Sequence, residues 1–110
     1  MESKGSIEVT CPECRGPLSE VRLGEIVEYR CLVGHTYSAR SVLADHSEIQ
    51  ERALWSAVVA LEEAGNLVRV VAPELRPEVA RKLEAQAAEK REQAKKIREV
   101  LASLEPFQLE

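Results

Sequence analysis

Four residues in the first third of the chain carry side chains that bind metal ions. Cys11 and Cys14 form a C-x-x-C pair, and Cys31 and His35 form a C-x-x-x-H pair. Structural zinc takes four tetrahedral ligands, and three cysteines with one histidine are a standard set. We therefore predict that these four residues bind one structural Zn²⁺ ion per chain.

The spacing of the two pairs has a physical logic. Sixteen residues separate them, about the length of a β-hairpin. Pro12 stiffens the first turn because its ring fixes φ. We expect Gly16 and Gly34 to supply the positive φ that such tight turns, here called knuckles, often need.

Three other cysteine chemistries are alternatives to zinc binding. A thioredoxin-like redox pair needs a βαβ context, which this sequence lacks. A disulfide framework needs an even cysteine count and a secretory signal, whereas the chain has three cysteines. A rubredoxin-like iron site takes four thiolates, and His35 argues against it.

Sequence motifs of catalysis are missing. The chain contains no G-x-S-x-G, no phosphate-binding loop and no His-Glu-x-x-His. A catalytic zinc keeps one position open for water, whereas four good protein ligands close the shell. We therefore predict that the protein is not an enzyme and has no catalytic residues.

Composition limits the partners and the compartment. The 110 residues include 15 basic and 19 acidic side chains, giving a formal charge of −4. This charge argues against nucleic-acid binding. No apolar run approaches the roughly 18 residues of a membrane span, and no apolar segment of a signal peptide follows Met1. We expect a cytoplasmic protein that does not bind membranes.

The pattern divides near residue 38, which predicts a small α+β fold of two parts. Residues 1–38 form short alternating segments, with Gly24-Glu25 as a hairpin turn. They predict a zinc ribbon, meaning a β-hairpin with two knuckles. A segment this short needs the metal to stabilise it.

Residues 39–110 predict a long antiparallel two-helix hairpin with a short C-terminal tail. Ser38 suits the N-cap of the first helix and Pro77 the first turn of the second. Apolar residues recur with 3-4 spacing at 54, 57, 61, 64, 68 and 71, and again at 83, 87, 94, 97, 101 and 104, with Lys90 interrupting. Whether the first helix continues through Gly65-Asn66 stays open, since glycine weakens a helix by about 1 kcal/mol.

Helix one carries apolar residues beyond this seam. One partner helix covers roughly a 100° face. We place the following outside that face: Val58, Val59, Leu67 and Val70. We therefore expect a homodimer through the helices, or a partner helix docked there.

Three stretches of the sequence together resemble a known family. They read VTCPECRGPL, EYRCLVGHTYS and ALWSAVVALEE. In this order they are similar to the C-terminal extension of some bacterial chemotaxis protein-glutamate methylesterases (CheB type). The resemblance covers about residues 8–71 and implies metal ligation by the three cysteines and His35. The receiver and the catalytic domain of that family have no counterpart here.

The combined interpretation is a non-catalytic zinc-binding interaction or scaffold module, with a protein partner, in bacterial chemotaxis-like signalling. One alternative is a nucleic-acid-binding zinc regulator, which clustered arginines would favour. Another is a thiol-based metal or redox sensor, which exposed thiolates of low pKa would favour. The sequence identifies neither the partner nor the pathway.

Overall fold

A four-stranded antiparallel sheet is followed by two long helices, so the fold is small α+β. This computed structural model describes residues 2–109, with side chains from residue 5 onward. The described chain forms two compact units. The sheet unit comprises residues 2–49 and 105–109, and the helical unit comprises Gln50–Leu104.

The sheet is a simple meander with the strand order β1-β2-β3-β4. Its strands are β1 (Glu2–Thr10), β2 (Pro17–Leu23), β3 (Ile26–Arg30) and β4 (Thr36–Tyr37). It is therefore larger than the single hairpin expected from the sequence. Leu18 and Val21 of β2 are buried, as expected for a strand with neighbours on both sides.

The β2–β3 turn lies where the sequence predicts it. Leu23 pairs with Ile26, which leaves Gly24 and Glu25 as a two-residue turn. Only Gly24 has a positive φ, of 65°. A type II′ turn has this pattern and suits the right-handed twist of paired strands. The alternation of apolar residues around a glycine was thus enough to locate the hairpin.

The first helix, α1, spans Ala39–Val71 without interruption. Its predicted N-cap is confirmed, since the Ser41 backbone N–H donates to Ser38 Oγ over 3.1 Å. The Ser38 N–H donates in turn to Ser41 Oγ over 2.9 Å. This reciprocal pair satisfies two backbone donors, as a capping box does. The helix also passes through Gly65 and Asn66, which the sequence left undecided.

The second helix, α2, spans Pro77–Ser103 and begins with the proline expected in its first turn. A short 3₁₀ turn, Ala72–Glu74, precedes it. Neither helix, nor any other within residues 2–109, is long and apolar enough to cross a membrane.

Within the helical unit, side-chain contacts run in opposite order along α1 and α2. Arg98 binds Glu62 through two hydrogen bonds of 3.1 Å, whereas Arg91 donates to the carbonyl oxygen of Gly65 over 3.1 Å. The contact further along α1 therefore involves the earlier residue of α2. This order is that of an antiparallel pair.

Burial confirms the predicted seam and corrects one residue. Every seam position is buried or half-buried, and Lys90, the predicted interruption, is exposed. The apolar pattern predicts that Val58 lies outside the seam, but Val58 is fully buried. A 3-4 pattern defines only a narrow stripe, whereas a packed helix buries a wider face that includes neighbouring positions.

The chain after α2 returns to the sheet unit. The Phe107 N–H donates to Ser47 Oγ over 3.2 Å. Ser47 is buried and donates to the carbonyl oxygen of Leu43 over 3.1 Å. Phe107 and Leu43 line one apolar cleft. Residues 105–109 are therefore part of the sheet unit rather than a free tail.

Candidate metal centre

The sheet topology places the two cysteine-containing knuckles at the same end of the sheet. Cys11 directly follows β1, and Cys31 directly follows β3. In an antiparallel meander the connections alternate between the two ends. The β1–β2 and β3–β4 connections therefore lie at one end, opposite the Gly24-Glu25 turn.

The first knuckle is closed by backbone hydrogen bonds. The Cys11 N–H donates to the carbonyl oxygen of Gly16 over 2.6 Å, and the Arg15 N–H donates to that of Cys11 over 2.8 Å. The expected positive φ at Gly16 is wrong, because the left-handed residue is Arg15, with φ of 63°. A Cβ atom at Gly16 would lie 3.4 Å from the Cys14 sulfur. The absence of a side chain at Gly16 thus allows the Cys14 sulfur to lie close to the backbone.

The second knuckle is a tight turn around Cys31. The Cys31 N–H donates to the carbonyl oxygen of His35 over 3.1 Å, and the Gly34 N–H donates to that of Cys31 over 3.2 Å. Gly34 has a φ of 112°, which confirms the expected positive value. Residues with a side chain rarely adopt this conformation, so glycine is required here.

The four predicted ligand atoms converge at this end of the sheet. The sulfur atoms of the three cysteines and a ring nitrogen of His35 all lie within 4.8 Å of one another. His35 Nδ1 is 3.3 Å from Cys31 Sγ and 3.5 Å from Cys11 Sγ. These four residues could hold a metal ion.

The four side chains differ in their exposure to solvent. Cys11 is fully buried and Cys31 is 8 % exposed. His35 is half-buried, and Cys14 is exposed. The cluster therefore has one open side, at Cys14.

Tyr37 is a functional neighbour that the residue pattern did not identify. This buried side chain lies with its hydroxyl 3.1 Å from Cys11 Sγ. Tyr37 lies on β4, which begins directly after His35. Its closeness in sequence to the second metal-binding pair is the feature that could have identified it. A hydroxyl donating to a thiolate stabilises the charged form of the sulfur.

Hydrogen bonds also set the acidity of the buried thiols. Burial raises the pKa of Cys11, but donors from the Cys14 and Glu13 backbones and from Tyr37 outweigh it and lower the pKa to about 6. Burial likewise opposes ionisation of Cys31, yet backbone donors from His35 and Gly34 lower its pKa as well. These two thiols are predisposed to the thiolate form that binds metals.

The exposed thiol behaves differently. A hydrogen bond with the Gly16 backbone lowers the pKa of Cys14. Partial desolvation and the sulfur atoms of Cys31 and Cys11 outweigh this effect, so the net shift is upward. Exposure and acidity therefore fall on different cysteines.

Glu13, between the two cysteines of the first knuckle, contacts the histidine of the second. Its Oε2 atom lies 2.8 Å from His35 Nε2. The pKa of His35 is raised, first by the hydrogen bond with Cys31 and further by Cys11 and Glu13. The sequence pattern alone did not indicate this contact.

The arginines of the sheet unit were the residues that would favour nucleic-acid binding. Arg30 is held by Glu28, with its Nε and Nη2 atoms 3.0 and 2.6 Å from the carboxylate. This pairing neutralises one of the interleaved charges that the sequence shows.

Comparisons of the chain with family models, with curated proteins and with solved structures find no match. The chemistry of the site must therefore be inferred from the residues and geometry of this chain.

Proposed function

We propose that Cys11, Cys14, Cys31 and His35 bind one structural zinc ion per chain. The observation that carries this proposal is the separation of the ligand atoms. Zn–S and Zn–N bonds of about 2.3 and 2.0 Å in a tetrahedron give an S···N edge of roughly 3.5 Å. The two S···N distances around His35 Nδ1 are 3.3 and 3.5 Å.

The surroundings of the site support a structural role for the ion. The buried cluster of the sheet unit consists of Cys11, Leu18, Cys31 and Tyr37. Half of its members are therefore proposed metal ligands. A unit with so few buried aliphatic side chains gains much of its stability from a metal cross-link.

Metal analysis tests this proposal. Protein purified without added metal should contain close to one equivalent of zinc, and Cys31→Ser protein should contain none. The matched control is Ser19→Ala, a substitution of similar size on β2 away from the ligands. Iron in place of zinc, or a Cys11–Cys14 disulfide in protein from reduced extract, would contradict the zinc assignment.

The chain would act through protein contacts made by α1. Four large side chains on the helix remain exposed, namely Trp55, Val59, Leu67 and Val70. We call these residues, together with the neighbouring Arg52, Ser56, Ala60 and Glu63, the outer face. Ala60 and Glu63 line both of two adjacent shallow hollows on this face. An exposed and largely apolar stripe of this kind, with Glu63 within it, suits a partner helix.

A second copy of the chain fits the charges of the outer face. Arg52 and Glu63 line the same hollow, 11 residues apart on α1. If two copies pair antiparallel about the midpoint between them, Arg52 of each chain faces Glu63 of the other. Symmetric homodimers use such self-complementary surfaces. The contact would form two equivalent ion pairs and would cover the exposed Val59 side chain of each copy.

Charge substitution provides a sharp test of the dimer. Arg52→Glu should weaken association because it places like charges opposite each other, and the double variant Arg52→Glu with Glu63→Arg should restore it. Analytical ultracentrifugation measures the association of the single and the double variant. A wild-type monomer at high concentration, or a double variant as weak as the single one, would contradict this dimer.

The apolar part of the contact is tested separately. Val59→Glu should weaken association and leave the zinc content unchanged. Val100→Glu on α2 is the matched control, because Val100 is 49 % exposed and Val59 is 50 % exposed. Equal effects of the two substitutions would show that the outer face has no special role.

We further propose that this module is a non-catalytic scaffold in bacterial signalling. Only the resemblance of its motifs to the methylesterase extension favours chemotaxis as the pathway. A pull-down with the wild-type chain and the Val59→Glu variant, from a bacterium that encodes the protein, tests the assignment. Chemotaxis proteins should be retained by wild type and lost with the variant.

A redox sensor is the second candidate, because Cys14 is exposed beside buried Cys11. Hydrogen peroxide would oxidise the two thiolates to a disulfide and would itself be reduced to water. The metal would then be released because two of its ligands are lost. The division of exposure and acidity between these cysteines favours the scaffold. Zinc release by equimolar peroxide within minutes, reversed by a thiol reductant, would favour the sensor instead.

A further inference from the structure

The two ring nitrogens of His35 face different groups. Nδ1 lies 3.3 Å from Cys31 Sγ and 3.5 Å from Cys11 Sγ, on the side of the proposed ligands. Nε2 lies 2.8 Å from Glu13 Oε2. The imidazole therefore bridges the thiol cluster and a carboxylate.

This arrangement matters because a metal ion and a proton cannot share one nitrogen. A neutral imidazole has one N–H donor and one bare nitrogen that can bind a metal. Histidine ligands commonly donate the other N–H to a carboxylate, which fixes the tautomer and the ring orientation. Glu13 offers that acceptor at Nε2 and leaves Nδ1 for the ion.

The position of Glu13 is set by the fold of the first knuckle. It lies between Cys11 and Cys14, in the turn closed by the hydrogen bond from the Cys11 N–H to the carbonyl oxygen of Gly16. His35 belongs to the second knuckle, so the contact ties the two knuckles together. The Glu13 side chain is 65 % exposed and that of His35 is 33 % exposed.

From this geometry we infer that Glu13 is a positioning residue for the metal site. It holds His35 with the proton on Nε2 and directs Nδ1 to the ion. The inference depends on the zinc binding proposed above. Replacing a partner of this kind costs about 10–100-fold in metal affinity. Because Glu13 is largely exposed, we expect about 10-fold.

Nitrogen NMR on the wild-type protein tests the tautomer directly. With ¹⁵N-labelled protein loaded with ¹¹³Cd²⁺ as the probe, scalar coupling to cadmium should appear at Nδ1 of His35, and a proton should remain on Nε2. Coupling at Nε2 would overturn the inference. A protein that binds neither zinc nor cadmium would contradict the proposed metal site itself, and this role with it.

Affinity measurements on variants test the role of the carboxylate. Competition with a chromophoric chelator should show about 10-fold weaker zinc binding for Glu13→Ala, and Glu13→Gln should recover part of the loss because its amide oxygen still accepts a hydrogen bond. The matched control is Glu25→Ala, an exposed glutamate in the turn at the opposite end of the sheet, which should bind like wild type. Equal affinity of Glu13→Ala and wild type, with full zinc loading of both, would overturn this role and leave the metal site intact.

Discussion

The two units of this chain have cores of different chemical composition. In the sheet unit the buried cluster is Cys11, Leu18, Cys31 and Tyr37, so sulfur and hydroxyl groups occupy its centre. In the helical unit the buried side chains are Val58, Ala72, Ala87 and Ala94, flanked by a half-buried aliphatic seam. Both units are too small for a large core. We therefore expect the sheet unit to depend on the proposed metal cross-link, whereas apolar packing stabilises the helical unit.

A second contrast is the range over which each core is assembled. The helical seam repeats every three or four residues along each helix, so each helix has a local pattern. The sheet cluster joins residues from separate strands and knuckles, up to 26 positions apart between Cys11 and Tyr37. Loss of one ligand should therefore disrupt contacts throughout the sheet unit.

The largest expected effect comes from removing one proposed ligand. Cys31→Ser should abolish zinc binding, which is worth roughly 10–16 kcal/mol in small zinc modules, and unfold the sheet unit. Helices α1 and α2 contain 33 and 27 residues, of which residues 39–49 lie in the sheet unit. The helical signal in far-UV circular dichroism should therefore fall by about a fifth. The amide NMR signals of β1–β4 should lose their chemical-shift dispersion. Loss of most of the helicity would show that the helical unit depends on the sheet unit.

The second effect probes the apolar core of the helical unit. Val58 is fully buried, so Val58→Ala should lower the free energy of unfolding by roughly 1–3 kcal/mol. Trp55 is the single tryptophan and lies in this unit, so its fluorescence during urea unfolding reports the change. Val100→Ala, at an exposed site, should change stability by less than about 0.5 kcal/mol. An equal loss in both variants would argue against a core at Val58, and zinc content should be unchanged in either.

A smaller effect concerns the glycine inside α1. A Cβ atom at Gly65 would lie 2.9 Å from Arg91 Nε, so Gly65→Ala must displace that exposed side chain. Alanine improves helix propensity by about 1 kcal/mol, and the lost hydrogen bond from Arg91 offsets part of it. We expect a net gain of under about 1 kcal/mol in urea unfolding followed by Trp55. A clear loss of stability would show that the close approach of Arg91 outweighs helix propensity.

The smallest effect is a pH dependence of the helical unit. The hydrogen bond from Arg98 lowers the pKa of Glu62 below its ordinary value of 4.5. An acid with a lowered folded-state pKa stabilises the fold above its unfolded pKa, and this contribution is lost as the pH falls through the folded value. Glu62→Gln should therefore narrow the stability difference between pH 7 and pH 3, measured by Trp55 fluorescence. Glu99→Gln, which removes a carboxylate of α2 outside this ion pair, is the matched control.

The arginine in that pair has a second contact that depends on the same geometry. Arg98 Cζ lies 5.3 Å from the centroid of the Trp55 ring. At this distance the cation–π interaction between the guanidinium and the indole is favourable, and the guanidinium covers one face of the ring. Trp55 nevertheless remains 42 % exposed. Its fluorescence should thus respond both to unfolding of the helical unit and to pairing of the outer face.

Local patterns in the sequence predicted much of the secondary structure. Ser38 caps α1 as expected, Pro77 begins α2, and Gly24 occupies the β2–β3 turn. Each of these depends on the backbone preferences of one or two residues, so a short window is sufficient. The helical seam was also predictable, because its 3-4 repeat follows from the geometry of a single helix.

Other features depended on contacts between distant residues. The buried position of Val58 and the unbroken passage of α1 through Gly65 were not predicted. Glycine has a low helix propensity, so the sequence indicates a weak point at Gly65. In the folded protein the missing side chain allows Arg91 to lie against Gly65 and to donate to its carbonyl oxygen. The four-stranded sheet was likewise underestimated, because strand number is a property of non-local pairing.

The candidate site shows the same division most clearly. Residue type and spacing alone singled out three cysteines and one histidine, because few other roles suit two short pairs of metal-binding side chains. Only the meander decides that the two pairs meet, since it places the first and third connections at one end of the sheet. The tertiary structure also decides which nitrogen of His35 faces the sulfur atoms, and it recruits Glu13 and Tyr37 around them. Spacing along a chain can specify which atoms are able to bind a metal, whereas their orientation and their hydrogen-bond partners come from segments that only folding brings together.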